Sequence, residues 1–283
     1  MTIVVTAPTG QIGSQVVQDL LAAGAPVRVV VRDPARLAPG VAERVEVVAG
    51  SHGDPDVAAT AFDGADAVFW LVPPVVAATS ADEAYSGFAR PVLGALRAAG
   101  RVVAVSALGR GTPVAGRAGH VTATLAMDDL IASTGVPYRA LTAPSFMENT
   151  LRQLDSIRER GVFQGPYRPD NPAPLVATRD IAAVAARVLR DGEWTGFAEV
   201  PVLGPEDLTY DRMAAILSEV LGRPVRYEQQ VPGAADTAIG QARIDMSLAK
   251  NDGLDNGVVR TPENTTPTTF RQFLLGAVSH NGA

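Results

Sequence analysis

Two arginines stand just after the second strand-like segment of the chain, where their chemistry suits a phosphate. Arg32 and Arg36 follow the apolar run Val27–Val31 in the stretch VRDPAR. A guanidinium group presents paired N–H donors that match phosphate oxygens, so this pair predicts recognition of a 2′-phosphate on an adenosine ribose. The alternative is a solvated basic turn in which Asp33 neutralises Arg32 or caps a short helix.

A glycine-containing turn precedes these arginines, in the stretch APTGQIG at residues 7–13. Dinucleotide-binding turns use three glycines: one for the tight turn, one for close approach to the pyrophosphate, and one for close helix–strand packing. Gly10 and Gly13 retain the second and third roles, whereas Ala7 replaces the first glycine. The N–H groups that open the following helix can face an anion. Together with Arg32, the turn predicts NADP(H) binding in preference to NAD(H), and the alternative is a structural turn.

The elements that must position these residues alternate regularly through the first half of the chain. The strand-like runs are mostly apolar without alternation, which is typical of strands buried on both faces. They lie at residues 3–6, 27–31, 45–48, 67–72, 102–105 and 138–141. Helical patterns separate them, at residues 11–23, 57–62, 81–99 and 121–133. This βαβ series predicts an α/β fold with a doubly wound, parallel, Rossmann-like sheet.

The second half of the chain has shorter, more proline-rich segments. They predict helices at residues 151–160, 180–190, 210–221 and 268–278, and a strand at 225–229. We therefore expect an NADP-binding domain over residues 1–144. A smaller C-terminal α/β lobe over residues 145–283 is expected to bind the substrate and to return in part to the main domain.

Composition disfavours several classes of function. The chain carries a net charge of −6, which argues against a nucleic-acid-binding surface, and it has no Cys. Its 3 His are far apart in sequence, so we predict no metal site. There is no apolar run of about 18 residues and no basic leader. We expect a cytoplasmic soluble protein, a monomer or homodimer, that acts on a small molecule without nucleic-acid or membrane partners.

Several stretches together resemble the NmrA-like group of atypical short-chain dehydrogenase/reductases. They are APTGQIG, VVVRDPARL, AGSHGDPDVAATAFDGADAVFWLVPP, VSALG, LTAPSFMENTL, TRDIA and the closing TPENTTPTTFRQF. The group includes NADPH-dependent quinone reductases and NADP-binding regulatory proteins, and the resemblance covers nearly the whole chain. It implies a Rossmann-like domain with a small C-terminal substrate lobe.

The resemblance also implies which residues hold the cofactor and the substrate. The family's Asp after the third strand, which would meet the adenine, is Ser51 here. The implied cofactor contacts are Thr9, Gly10, Gln11, Ile12, Gly13, Arg32, Arg36, Ser51, His52, Leu71, Val72, Pro73, Ser106, Ala143, Pro144, Ser145 and Phe146. The substrate pocket is expected to be lined by Trp70, Pro74, His120, Phe146, Asn149, Phe163 and Tyr167.

The residues expected to do proton chemistry depart from the family pattern. Ordinary short-chain reductases use a Tyr with a Lys four residues later, and these positions correspond to His120 and Thr124. The Tyr/Lys mechanism is therefore absent. Ser106 is interpreted as an active-site hydrogen-bonding residue, and His120 as a candidate acid or base or else a loop or cap residue. The pair Asp128–Asp129 is expected on the solvated face of a helix.

Three hypotheses for function follow from this pattern. In the first, the chain is an NADPH-dependent oxidoreductase that transfers hydride to a quinone or other conjugated small molecule, which needs little acid catalysis. In the second, His120 supports carbonyl or imine reduction, or a non-redox cyclisation, on the same scaffold. In the third, the protein is a catalytically silent NADP(H) sensor that reports to a protein partner. Of these, the first is the function that we expect.

Overall fold

The computed structural model describes residues 1–72 and 78–280, and only the backbone of residue 280. Pro73 and Pro74, expected at the cofactor and the substrate, lie outside the described residues. The strands are β1 Ile3–Thr6, β2 Val27–Val31, β3 Glu46–Ala49, β4 Ala67–Trp70, β5 Val102–Ala107, β6 Tyr138–Ala143, β7 Ser145–Phe146, β8 Val162–Gly165, β9 Ala173–Val176, β10 Phe197–Pro201, β11 Asp207–Leu208 and β12 Arg226–Gln229. The helices are α1 Gln11–Ala22, α2 Pro55–Phe62, α3 Leu93–Ala98, α4 His120–Ala132, α5 Leu154–Arg160, α6 Thr178–Arg190, α7 Tyr210–Leu221, α8 Ala238–Asn251 and α9 Phe270–His280. None of these described helices is long and apolar enough to cross a membrane.

Two compact units interleave along the chain. The first contains Met1–Ala107, Ala123–Thr142 and Ile181–Val200, and the second contains Leu108–Thr122, Ala143–Asp180 and Pro201–Ala283. The sequence suggested one boundary after residue 144. The structure instead assigns residues 108–122 to the second unit and returns residues 181–200 to the first.

The first unit is built on a seven-stranded sheet with the order β10-β6-β5-β4-β1-β2-β3. The pairs β1–β2, β2–β3, β1–β4 and β4–β5 are parallel. All residues of β1 and β4 are buried, which explains their continuous apolar sequences. The strand order reverses beside β1, and such a switch point is where nucleotides bind in open parallel sheets. The predicted α/β fold is confirmed.

One predicted helix is broken in the structure. Residues 81–99 were expected to form a single helix, but they contain a π-helical turn at Glu83–Gly87, a 3₁₀ turn at Arg90–Val92 and then α3. Pro91 lies at the interruption, where it lacks a backbone N–H and disfavours helical backbone at the preceding residue. The local chemistry of proline therefore overrides the helical pattern.

The second unit has its own core and two small sheets. One sheet has the order β11-β9-β7 and the other pairs β12 with β8 in parallel. Its core is rich in aromatic rings, including Phe163, Tyr210, Tyr227 and Phe270. Helix α8 was not predicted. Its buried positions include the small residues Ala242, Ser247 and Ala249, so no strong apolar stripe marks it in the sequence.

Candidate cofactor and substrate sites

The first turn of the chain contains a strained alanine. Ala7 has φ +49°, and it is the one non-glycine residue with positive φ in the described part of the chain. The left-handed region costs an L-residue about 1 kcal/mol. The Gly10 N–H donates to the Ala7 carbonyl oxygen at 3.0 Å and closes the turn. Ala7 thus adopts the conformation for which such turns ordinarily use glycine.

Close packing of α1 on this turn requires Gly13. A Cβ at residue 13 would lie 2.2 Å from the Ala7 carbonyl oxygen, which no side chain tolerates. A Cβ at Gly10 would lie 3.3 Å from the same oxygen, a tight but less severe approach. The third glycine role, the close approach of helix and strand, is therefore imposed by backbone contact.

The start of α1 offers a donor set that fits a pyrophosphate. Gly10 precedes the helix and no side chain caps it. The N–H groups of Gln11, Ile12 and Gly13 have no acceptor within the helix, as in the first turn of any α-helix. The first turn contains no acidic residue, so nothing there repels an anion. Thr9 and Gly10 are partly exposed.

Both arginines after β2 are exposed. Asp33 lies between them in sequence, and its carboxylate accepts the N–H of Ala35 at 3.1 Å, which caps the short 3₁₀ turn Pro34–Arg36. The capping role considered for Asp33 is therefore present. Arg32 lies before the turn and Arg36 is its last residue, and the chemistry of both side chains fits a 2′-phosphate. That they hold one stays a prediction.

A pair of side chains fixes the peptide at the end of β4. The Thr6 hydroxyl donates to the Phe69 carbonyl at 2.9 Å and accepts the Leu71 N–H at 3.0 Å. The Nε2 atom of His52 donates to the Leu71 carbonyl at 3.1 Å. Leu71 is thus held on both sides at the carboxyl end of a central strand, the edge at which cofactors bind in this architecture. Leu71 and Val72 are both half-buried there.

Two residues expected at the sites face the interior instead. The side chain of Trp70 is 0% exposed, and its ring lies 5.1 Å from that of His52, edge to face. His52 also packs on Phe88, at 5.0 Å. Burial lowers the pKa of His52 to about 4, opposed by the Leu71 hydrogen bond and aided by the charge of Arg32. Trp70 is therefore a core residue and not a pocket wall, and the His52 ring does not present an edge to adenine. Ser51, the neighbouring predicted contact, is partly buried and its hydroxyl accepts the Gly53 N–H at 3.3 Å.

A buried polar cluster lies beneath the end of β5. The Ser106 hydroxyl donates to the Asp128 carboxylate, and the Tyr138 hydroxyl donates to its other oxygen at 2.5 Å. Asp128 is 0% exposed, so the expectation that it lies on a solvated face is wrong. The signal missed was that the apolar residues of α4 are spread around the helix and do not form one stripe, which is typical of a buried helix. Two hydroxyl donors compensate for burying the carboxylate. Ser106 does form a hydrogen bond, but to Asp128, so its role toward a ligand stays a prediction.

Thr124, at the position of the missing catalytic Lys, forms a hydrogen bond with another side chain. Thr124 is buried, and its side chain bonds to the hydroxyl of Tyr85. Burial raises the pKa of Tyr85, and the bond to Thr124 partly opposes this. No cation therefore occupies this position.

His120 begins α4 and belongs to the second unit. It is half-buried and bonds to the backbone of Ile239. Burial lowers its pKa, the hydrogen bond opposes this, and the charge of Arg243 lowers it further. The imidazole is therefore mainly neutral at pH 7, a state that accepts a proton more readily than it donates one.

The second unit contains a cavity of about 860 Å³. Four residues predicted from the sequence to line the substrate pocket meet here: Phe146, Asn149, Phe163 and Tyr167. Ser145 also lines it, whereas His120 is not among its lining residues. The predicted contacts Ala143 and Pro144 are buried in the same unit, and Ala143 accepts the Leu108 N–H at 3.3 Å.

Stacked aromatic rings form one side of this cavity. The Tyr167 and Tyr210 rings stack at 4.8 Å, and Tyr210 packs on Tyr227 at 5.0 Å. The Tyr227 hydroxyl donates to the Tyr167 carbonyl at 2.9 Å, which fixes the backbone of the cavity wall. The sequence analysis missed Tyr210, because its place at the start of α7 gave no sign that its ring packs on Phe163 and Tyr167. Such a rigid apolar wall fits a flat, unsaturated ligand.

Comparison with known proteins identifies the family. The model of a family described as NAD(P)H-binding matches residues 8–192. The chain belongs to this family. Its predicted capacity to bind NAD(P)H is therefore confirmed.

Two curated relatives match almost the full chain. The (4-alkanoyl-5-oxo-2,5-dihydrofuran-3-yl)methyl phosphate reductase of Streptomyces griseus is 33% identical over 98% of this chain and 97% of its own length. The NAD(P)H azoreductase of Xenophilus azovorans is 31% identical over 99% of this chain and 98% of its own length. Both relatives are reductases by name.

A solved structure shows the same fold. The NADPH-dependent quinone oxidoreductase of Escherichia coli, crystallised with NADPH, superposes with a TM-score of 0.76 at 23% identity and covers 100% of both chains. The fold that the resemblance to the NmrA-like group implies is therefore confirmed. Within the described residues, no group of three His, Cys, Asp or Glu side chains could hold a metal ion.

Proposed function

We propose that the protein is an NADPH-dependent oxidoreductase that reduces a quinone or another conjugated small molecule. The observation that carries this proposal is the aromatic cavity of the second unit, in a chain whose first unit has the dinucleotide turn. The rings of Phe163, Tyr167 and Tyr210 suit a flat unsaturated acceptor, and the cavity of about 860 Å³ is within the range of small-molecule sites.

The cofactor would be held by residues of the first unit. The N–H groups of Gln11, Ile12 and Gly13 would bind the pyrophosphate, since they start a helix without a capping side chain. Arg32 and Arg36 would bind the 2′-phosphate and so favour NADPH over NADH. The bound nicotinamide supplies a hydride. Ser106, held by Asp128, would contribute a fixed hydroxyl at the end of β5.

A conjugated acceptor fits the absence of the Tyr/Lys pair. When hydride reaches such an acceptor, the negative charge spreads over the conjugated system, so a strong proton donor is not required. Thr124 stands where ordinary members of the class have the Lys. The acceptors named for the relatives, an oxo-dihydrofuran ester of phosphate and azo compounds, share an electron-poor unsaturated system. His120 stays a candidate acid or base, and because burial lowers its pKa, the imidazole is in the neutral form that a general base requires at pH 7.

The proposal is tested by following NADPH oxidation with quinones, enones, azo compounds and imines, each against an enzyme-free control. We expect turnover with the first three classes and a lower KM for NADPH than for NADH. Tyr167→Leu should raise the KM of the acceptor about tenfold by removing a stacked wall. Phe273→Leu changes an aromatic residue that packs on the same core but is not among the lining residues, and serves as the matched control.

The outcomes separate the hypotheses. No turnover with any acceptor, together with tight NADPH binding, would contradict the reductase and favour an NADP(H) sensor. Turnover of imines or simple carbonyls alone, abolished by His120→Ala, would favour the acid–base hypothesis.

A further inference from the structure

The charged residues of the aromatic cavity all have the same sign. Arg152 and Arg243 are the charged side chains that line it, and no Asp or Glu does. Among the described residues, neither arginine makes an ion pair. Two guanidinium groups without a carboxylate give the cavity a positive electrostatic potential. A neutral quinone has no net charge to be attracted by that potential.

The two arginines and the rings occupy different depths of the unit. Arg152 and Arg243 are exposed, whereas Phe163 and Tyr210 are buried. The charges therefore lie toward solvent and the apolar rings toward the interior. A ligand that matches this order has a flat apolar body and a charged group at one end.

Resting on the proposed reductase function, we propose that the acceptor carries an anionic oxygen group, a phosphate ester or a carboxylate, that Arg152 and Arg243 bind. Guanidinium groups pair with either anion through two parallel N–H donors, which gives direction as well as attraction. The lining also includes the amide side chains of Asn149 and Gln153, and the Gln153 amide is held by the backbone carbonyl and N–H of Gln164 at 2.8 and 3.1 Å. The anion would anchor one end of the acceptor while its unsaturated ring lies against Phe163 and Tyr167.

The charge of Arg243 also affects the pKa of a histidine in the same unit. It contributes to the lowered pKa of the half-buried His120. An anion bound at Arg243 would offset this charge, so binding would shift the His120 titration upward. This shift is a second readout that does not depend on turnover.

The test uses three acceptors with one conjugated ring and one side arm: a hydroxymethyl arm, its phosphate monoester, and a carboxymethyl arm. We expect kcat/KM to be at least about tenfold higher for one of the anionic acceptors than for the neutral one, mainly through KM. The better of the two identifies the anion. Arg152→Gln and Arg243→Gln should each lower the anionic-to-neutral ratio about tenfold. Arg212→Gln removes the same charge from an exposed ion pair on α7 and should leave the ratio unchanged.

Equal kcat/KM for the charged and neutral acceptors, or an equal loss for both in the arginine variants, would overturn the anion site. Calorimetric binding of the same three compounds without NADPH, together with the His120 titration by NMR, separates this failure from a failure of the proposed function. Tight binding of an anionic compound that Arg243→Gln weakens would support the site even if no acceptor were turned over. Equal binding of all three compounds would overturn it.

Discussion

The hydroxyl of Ser106 donates a hydrogen bond to the carboxylate of Asp128 inside the first unit, across 22 residues of sequence. Tyr138 donates to the other carboxylate oxygen. The end of β5 is therefore tied to α4 by a buried charged acceptor, and α4 in turn is tied to β6. Hydrogen bonds to a charged acceptor stabilise more than neutral ones, and losing a buried partner is costly.

Replacing Asp128 by Asn should destabilise the protein by about 1–3 kcal/mol. An amide offers one acceptor oxygen, so one of the two hydroxyl donors, Ser106 or Tyr138, loses its acceptor. Urea unfolding should show a lower midpoint with an unchanged slope. The matched control is Asp129→Asn, at the exposed neighbouring position, which should change stability by less than about 0.5 kcal/mol. Equal losses in the free energy of unfolding for the two substitutions would show that the buried hydrogen bonds of Asp128 do not stabilise the protein.

Stability should fall as the medium becomes acidic, because His52 is buried in its neutral form. Its folded pKa is about 4, against 6.5 in the unfolded chain, so between these values the unfolded chain binds a proton that the folded chain rejects. The free energy of unfolding should therefore decrease from pH 6.5 toward pH 4, by up to about 3 kcal/mol. Above about pH 7.5 the imidazole is neutral in the unfolded chain as well, so His52 should no longer affect the free energy of unfolding.

Replacing His52 isolates its contribution to the pH dependence of the free energy of unfolding. His52→Gln removes the titrating ring, so its unfolding free energy should depend less on pH between 6.5 and 4 than that of the wild type. His120→Gln, at a half-buried histidine whose pKa is also lowered by burial, should flatten the profile less. Parallel profiles for the wild type and His52→Gln would refute the assignment.

Ala7→Gly should stabilise the protein by about 0.5–1 kcal/mol, because glycine adopts positive φ without the steric cost that alanine carries. A glycine-to-alanine substitution at another residue with positive φ supplies the control. Gly24 has φ +71° and open space around its Cα, so Gly24→Ala should lose a similar amount through backbone strain alone. Thermal unfolding measures both. A lower melting temperature for Ala7→Gly would mean that rigidity of the alanine outweighs its strain.

Arg32→Ala should weaken NADPH binding by about tenfold or more and leave NADH binding unchanged, because only NADPH has the 2′-phosphate. Fluorescence titration of the reduced cofactors measures both constants. Arg97→Ala, at an exposed position on α3, removes the same charge from the first unit and should change neither. An equal loss for both cofactors would indicate a structural role for Arg32.

The features that could be predicted from the sequence are those with local causes. Six of the seven strands of the first sheet follow from apolar runs, and the turn at residues 7–13 follows from glycine spacing. The seventh strand, β10 at Phe197–Pro201, is only partly buried and was not predicted. The inward orientation of Trp70 and His52 depends on long-range packing that no local pattern encodes. The burial of Asp128 likewise depends on two hydroxyls, one 22 and one 10 residues away. Four of the residues predicted to line the substrate pocket do line one cavity, whereas its two arginines come from segments whose proximity is created only by folding.

Residues 7 and 13, at the two ends of the nucleotide turn, tolerate a side chain to different degrees. This difference affects how distant members of the family can be recognised from sequence. At residue 7 a side chain causes modest backbone strain, because φ is positive there. At residue 13 a side chain would collide with the backbone carbonyl of Ala7. A search pattern that demands glycine at the first position would discard chains such as this one. A pattern that relaxes the first position and insists on the last would retain them, because it follows the steric limit of the turn.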